Sequence, residues 1–337
     1  MKHHKLFKQY AVTLLLILPL LVFTSACSDD DDDPVTPTIN EAELLVAELE
    51  GANGDYLNTS CPAIVKADAV YEDVTGTKTF HVIDIRAAAD YDLGHVPTSV
   101  NVNSADIFTH MATINAADYD KIVIVCYTGQ TAGWVVGLMR MSGITNVYSM
   151  KYGMSSWHSD FDKITPNKGS SASFVTTAAP AKPAAGSLPA ISTGKSTGAE
   201  ILADRVAAVH ANGFGAVAIT ATEVLSAPDQ YFIINYWSEG DYLGIGHIDG
   251  SYQYTPKVDL KLSAALMTLP TNKTIVVYCY TGQTSANVAA ILSVLGYDAK
   301  TLKFGTQAMI WQTMIDAGKT AYNADNDHDC WGFDYEK

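Results

Sequence analysis

The chain has 337 residues, 48% of them hydrophobic, with 21 Lys and Arg against 36 Asp and Glu and a net charge of −15. So acidic a surface excludes the sequence-independent grip on nucleic-acid phosphates and on anionic lipid headgroups. It also obliges any anion site to be built locally, and arginine is confined to Arg86, Arg140 and Arg205. Beyond the N-terminal segment, roughly 300 residues suit two domains.

The N-terminus reads as a targeting segment. Lys2, Lys5 and Lys8 precede an apolar stretch, Ala11 to Phe23, that is short for a membrane span. It ends in Thr24-Ser25-Ala26-Cys27. This resembles a bacterial lipoprotein signal, although Thr24 stands where Leu is usual, and implies cleavage before Cys27 and lipidation of that cysteine. Residues 1–26 are therefore set apart from the fold. Residues 27–40, with acids from Asp29 to Asp33 and then Pro34 and Pro37, read as an extended acidic tether. No later stretch is long and apolar enough to span a bilayer. The expectation is an exported protein held to the cell envelope, at its periplasmic face or surface, by its N-terminal lipid only.

In the first half, Ala42 to Val46 opens a helix and Phe80 to Ile85 is a strand. Ala105 to Thr113 is a short helix, and Ile122 to Val125 a β-branched strand. Gly133 to Met141 is a helix, and Asn146 to Ser149 a further strand. Strands alternating with helices predict a doubly wound parallel sheet flanked by helices. Functional loops then belong at the carboxyl ends of its strands. Residues 164–197 hold Pro166, Pro180, Pro183 and Pro189 among Ser, Ala, Gly and Thr, and read as a flexible linker. It separates a first domain, 41–163, from a second, 198–337, which ends in an acidic tail. That tail, Asp325 to Glu336, faintly resembles a calcium loop but has Cys330 where the glycine belongs. It reads as solvated, with no metal expected.

The second half repeats the first. Cys-Tyr-Thr-Gly-Gln-Thr stands at 126–131 and again at 279–284, each copy after a β-branched run and before a helix-like stretch. Gly94-His95-Val96 matches Gly246-His247-Ile248, and Asp90-Tyr91 matches Asp241-Tyr242. A cysteine after a buried strand, followed by a glycine-containing loop and a helix start, places backbone N–H groups and the positive helix end around the sulfur. Such a setting predicts a lowered thiol pKa and a nucleophilic thiolate. Of the other cysteines, Cys61 and Cys330 either pair as a disulfide or remain separate thiols.

In their order, these residues resemble the rhodanese family of sulfurtransferases. The pattern runs Val82-Ile83-Asp84-Ile85-Arg86, Asp90-Tyr91, Gly94-His95-Val96-Pro97, the Cys126 loop, then Tyr152-Gly153 before Trp157. The resemblance implies two tandem rhodanese-like α/β domains and a cysteine persulfide intermediate. Cys126 and Cys279 are the implied nucleophiles. Tyr127, Thr128, Gly129, Gln130 and Thr131 in one loop, and Tyr280, Thr281, Gly282, Gln283 and Thr284 in the other, would bind substrate. Asp84, Arg86, His95 and His247 would support the loops. No cofactor is implied. The reaction expected is transfer of sulfane sulfur from thiosulfate or a persulfide to a thiol or cyanide.

The second half departs from the pattern, with Asn235-Tyr236-Trp237 where the first has Asp84-Ile85-Arg86. Cys126 is thus the firmer nucleophile and Cys279 a second. Neither loop contains Lys or Arg, which counts against thiosulfate as the physiological donor. It also counts against a phosphatase, which needs an Arg clamp on the phosphate. The competing reading is a sulfur or chalcogen carrier that binds without turnover, attached to an envelope redox partner.

Overall fold

Short β-branched runs set the strands. The computed structural model describes residues 40–337 apart from Ser171 and Asp327. The signal segment, Cys27 and all but the last residue of the tether lie outside the described residues. The first sheet comprises β1 (Ile64–Val65), β2 (Phe80–Asp84), β3 (Val100–Asn101), β4 (Lys121–Val125) and β5 (Val147–Met150). Its order is β1-β5-β4-β2-β3, with every pairing parallel. The second comprises β6 (Ala218–Ile219), β7 (Phe232–Asn235), β8 (Tyr252–Gln253), β9 (Ile275–Tyr278) and β10 (Ala299–Leu302). It repeats the topology as β6-β10-β9-β7-β8, again all parallel. The two tandem α/β sheets flanked by helices are those the sequence predicts. The two cysteines follow the central strands, β4 and β9.

Alternation along those strands divides the apolar residues between two faces. Ile122 and Ile124 of β4 join Ile275 and Val277 of β9 in one core shared by both halves. Val123 and Val125 face the other way, into a core built on Trp157. Between the sheets lie the helices that follow the cysteine loops, Gln130–Met141 and Gln283–Val294, with Gly198–Val217 packed against them. The first is buried everywhere except at Thr131 and Arg140, the second except at Thr284 and Ser293. Their close approach needs small residues, since a Cβ on Gly133 would stand 3.0 Å from both Gln283 O and Asn287 Nδ2. The first loop helix starts three residues earlier than the apolar pattern suggests, at Gln130.

Two expectations are corrected. The 164–197 stretch does not leave the halves free of each other. Val175 forms an antiparallel bridge with His247, and Trp311 N–H donates to Gly169 O at 2.7 Å. Nor is the C-terminal tail a solvated acidic run. Glu336 bridges His95 antiparallel, and Trp331 and Phe333 N–H donate to Ser156 O (3.0 Å) and Trp157 O (2.9 Å). Phe333 stacks on Tyr71 at 4.0 Å. The segment trailing each half therefore crosses to the other and lies on that half's Gly-His turn. Net charge hid the alternation of Trp331, Phe333 and Tyr335 with polar neighbours, the pattern of an extended segment with one apolar face. Cys61 and Cys330 are both free thiols. No described helix is long and apolar enough to cross a membrane.

Candidate active site

Each cysteine directly follows a central strand, buried throughout except at Lys121, and forms the floor of its loop. Gly129 takes a left-handed φ of 77° and Gly282 one of 85°, turning the chain so that the next N–H groups point back at the sulfur. Gly129 N–H donates to Cys126 Sγ at 3.1 Å and Ala132 N–H at 3.4 Å. In the second copy, Gly282 N–H donates to Cys279 Sγ at 3.2 Å and Ser285 N–H at 3.4 Å. The Cys279 thiol also reaches Ser285 Oγ at 3.5 Å, where the first loop has the inert Ala132.

The cradles are braced from below. A Cβ on Gly153 would collide with Cys126 O, and one on Gly305 with Cys279 O, so only glycine allows that approach. Met154 N–H donates to Cys126 O at 2.8 Å and Thr306 N–H to Cys279 O at 2.9 Å. From above, the loop tyrosines are tethered by acids that the repeat had matched. Tyr127 OH donates to Asp90 Oδ1 at 2.8 Å, and Tyr280 OH donates to Asp241, which also holds Lys319.

The thiol environment differs from expectation in one respect. Cys126 is 6% exposed, and burial pushes its thiol up from the ordinary value. The N–H groups of Ala132, Thr128 and Gly129 pull it back only in part. At Cys126 the cradle's N–H groups favour the sulfur anion while burial disfavours it, and burial is the larger effect.

Asp84 and Arg86 form a buried pair, with Arg86 Nε 3.0 Å from both carboxylate oxygens and Nη2 2.7 Å from Oδ2. Nη2 also donates to Gly94 O at 2.7 Å, tying the Gly-His turn to β2. The guanidinium lies 4.9 Å from the Tyr127 ring centroid. In the second half Trp237 takes this place, stacked on Tyr280 at 4.8 Å, and Asn235 Nδ2 donates to Tyr278 OH at 2.9 Å. An aromatic plane thus stands against Tyr280 where a guanidinium stands against Tyr127. His95 and His247 bond backbone, Nδ1 lying 3.1 Å from Tyr91 O and 3.0 Å from Tyr242 O, with each ring stacked on that tyrosine.

Tyr127, Thr128, Thr131, Tyr280 and Thr284 are only partly buried around the sulfur, and Thr281 is buried. Gln130 and Gln283, expected at the mouth, are 3% and 1% exposed and point into the opposite half. Thr131 makes no capping bond, because the helix starts before it. The structure also supplies a cation the loops lack: Lys163 Nζ lies 5.4 Å from the Tyr127 ring centroid. Sequence reasoning missed Lys163 because it belongs to a loop that reaches the site only through the fold. Asp90 and Asp241 were visible as repeat matches but had no assigned role. Among the described residues no group of three or more His, Cys, Asp or Glu could hold a metal.

The parallel sheets with a cysteine loop at the central strand define a tandem α/β protein built around paired thiol sites. The rhodanese-like domain family matches the chain twice, at residues 66–160 and 220–310, and the chain belongs to that family. It is similar to the thiosulfate sulfurtransferase GlpE of Shewanella oneidensis, 31% identical over 86 residues, covering 25% of this chain and 82% of that protein. GlpE of Pseudomonas paraeruginosa is 33% identical over 79 residues, covering 23% of this chain and 69% of that protein. A solved rhodanese-like domain protein from Staphylococcus aureus is 20% identical, covering 28% of this chain and 90% of that one, with a TM-score of 0.26.

Proposed function

We propose that the protein is an exported, lipid-anchored sulfurtransferase in which Cys126 takes sulfane sulfur from a donor and passes it on, with Cys279 as a second acceptor site. The observation that carries this reading is the duplicated cradle, two backbone N–H groups converging within 3.4 Å on a buried cysteine sulfur. In the thiosulfate case the Cys126 thiolate attacks the outer sulfur. A Cys–S–S⁻ bond forms, the S–S bond of thiosulfate breaks, and sulfite leaves with the electron pair. The cradle stabilises the terminal sulfur anion. Cyanide or an acceptor thiolate then attacks that terminal sulfur and releases the Cys126 thiolate. Lys163, beside Tyr127, supplies positive charge for an anionic donor in so acidic a protein, since Arg86 is already neutralised by Asp84. This restores thiosulfate alongside persulfides as a donor.

Intact mass after incubation with thiosulfate, and separately with glutathione persulfide, tests the reading. One added sulfur should disappear in Cys126→Ser, and a second in Cys279→Ser. Full turnover in the double mutant would refute it. Loading without release to cyanide or thiol would instead make the protein a carrier. Export and anchoring through Cys27 predict a mature N-terminus that begins at an acylated Cys27, and Cys27→Ser should leave the membrane fraction. The proposed location is the cell envelope.

A further inference from the structure

Gln283 belongs by sequence to the second loop, yet its carboxamide is built into the first site. It is 1% exposed. Its Oε1 accepts from Tyr152 N–H at 3.0 Å and its Nε2 donates to Met150 O at 3.4 Å, both at the carboxyl end of β5. It lies so close to Gly129 that a Cβ there would collide with its amide nitrogen. Gly129 is the residue whose N–H lies 3.1 Å from Cys126 Sγ. The arrangement is reciprocal. Gln130 Oε1 accepts from Phe304 N–H at 2.7 Å, just after β10, and a Cβ on Gly282 would collide with it. Gly282 in turn donates to Cys279 Sγ. Tyr152 and Phe304 are held at φ of 61° and 62°, a conformation that bulky residues avoid. Each is fixed there by a bond from the opposite half.

We infer that each cysteine loop is completed by the other half's glutamine. Gln283 is a positioning residue for the Cys126 site through Gly129, and Gln130 is one for the Cys279 site through Gly282. Neither touches the sulfur. Each wedges between the glycine that donates to the sulfur and the strand end beside it, so the N–H stays aimed at the sulfur only while the halves are docked. The two thiol sites therefore share one rigid frame across the α-helical layer. A change in one loop is felt at the other thiol.

The test uses the full chain with Cys279→Ser, so that Cys126 alone of the loop thiols reacts. Cys126 alkylation is followed by peptide mass spectrometry against pH. Gln283→Leu keeps the volume but removes both bonds. Loss of the aimed Gly129 N–H should raise the Cys126 thiol pKa by about one, slowing alkylation near neutral pH about tenfold. The mirror experiment, Gln130→Leu in Cys126→Ser, should act on Cys279. An unchanged Cys126 pH profile in Gln283→Leu, whatever happens to the melting temperature, overturns the inference. If Gln283→Leu does not fold, Gln283→Asn, which withdraws the amide by one methylene, must show the same shift. The turnover consequence alone rests on the sulfurtransferase reading. If the parent protein alkylates but gains sulfur from no donor, that reading fails, while the alkylation profile still decides the positioning role.

Discussion

Replacing Phe333 by alanine tests whether the C-terminal segment is docked on the first half as described. Phe333 is half-buried. Its ring stacks on Tyr71 at 4.0 Å and meets Trp157 edge-on at 5.1 Å. A fully buried Phe→Ala change costs about 3–5 kcal/mol, so a half-buried ring loses roughly 2 kcal/mol. The aromatic pairing contributes about 0.5–1.5 kcal/mol of its own. The expected loss is therefore about 2.5–3.5 kcal/mol, a large share of a typical domain's stability. Urea unfolding followed by circular dichroism should show a lower midpoint at unchanged slope. Tyr71→Ala in the same background should be non-additive by at least about 0.5 kcal/mol, because the two rings share one contact. A Phe333→Ala midpoint within about 0.5 kcal/mol of wild type, or strict additivity with Tyr71→Ala, would refute the docked segment.

Two further outcomes follow from the site. Burial raises the Cys126 thiol above its ordinary value of 9.0. Below that pKa each rise of one pH unit multiplies the thiolate about tenfold, so Cys126 alkylation should climb steadily from about pH 6 past about pH 9, and a plateau near neutrality would contradict it. Arg86→Leu leaves the Asp84 carboxylate fully buried without its partner, a change expected to cost about 3–5 kcal/mol; a loss under about 1 kcal/mol in urea unfolding would show that the pair does not organise β2 and the Gly-His turn.

The local parts of the site were legible. A cysteine after Ile122-Val123-Ile124-Val125, with glycine three positions on and a helix behind it, could place its sulfur only at a strand end beneath converging N–H groups. Both copies do so. The repeat of Asp90-Tyr91 as Asp241-Tyr242 already marked the two acids that hold the loop tyrosines. Burial was not legible. The same N–H groups were expected to make Cys126 an acidic thiol, but the shared core around β4 and the loop helix outweighs them.

What escaped is everything that crosses between halves, and the reason is that motif reasoning is local. Gln130 and Gln283 sit inside the loop motif, so they were placed at its mouth, whereas their partners Phe304 and Tyr152 lie in the other repeat. The signal that could have corrected this is in the helices. Gly133 to Met139 and Ala286 to Leu292 are nearly free of charge all round, whereas a helix covering one face of an independent domain keeps a polar side toward water. Two such helices, with Gly133 and Gly137 in one and Ala289 and Ala290 in the other, must be covered on both sides, and in the fold they cover each other. That signal points against halves that move freely about the linker, as the contacts of Gly169 and Val175 bear out. The halves share a core, and the trailing segments and the loop glutamines cross within it to the opposite half.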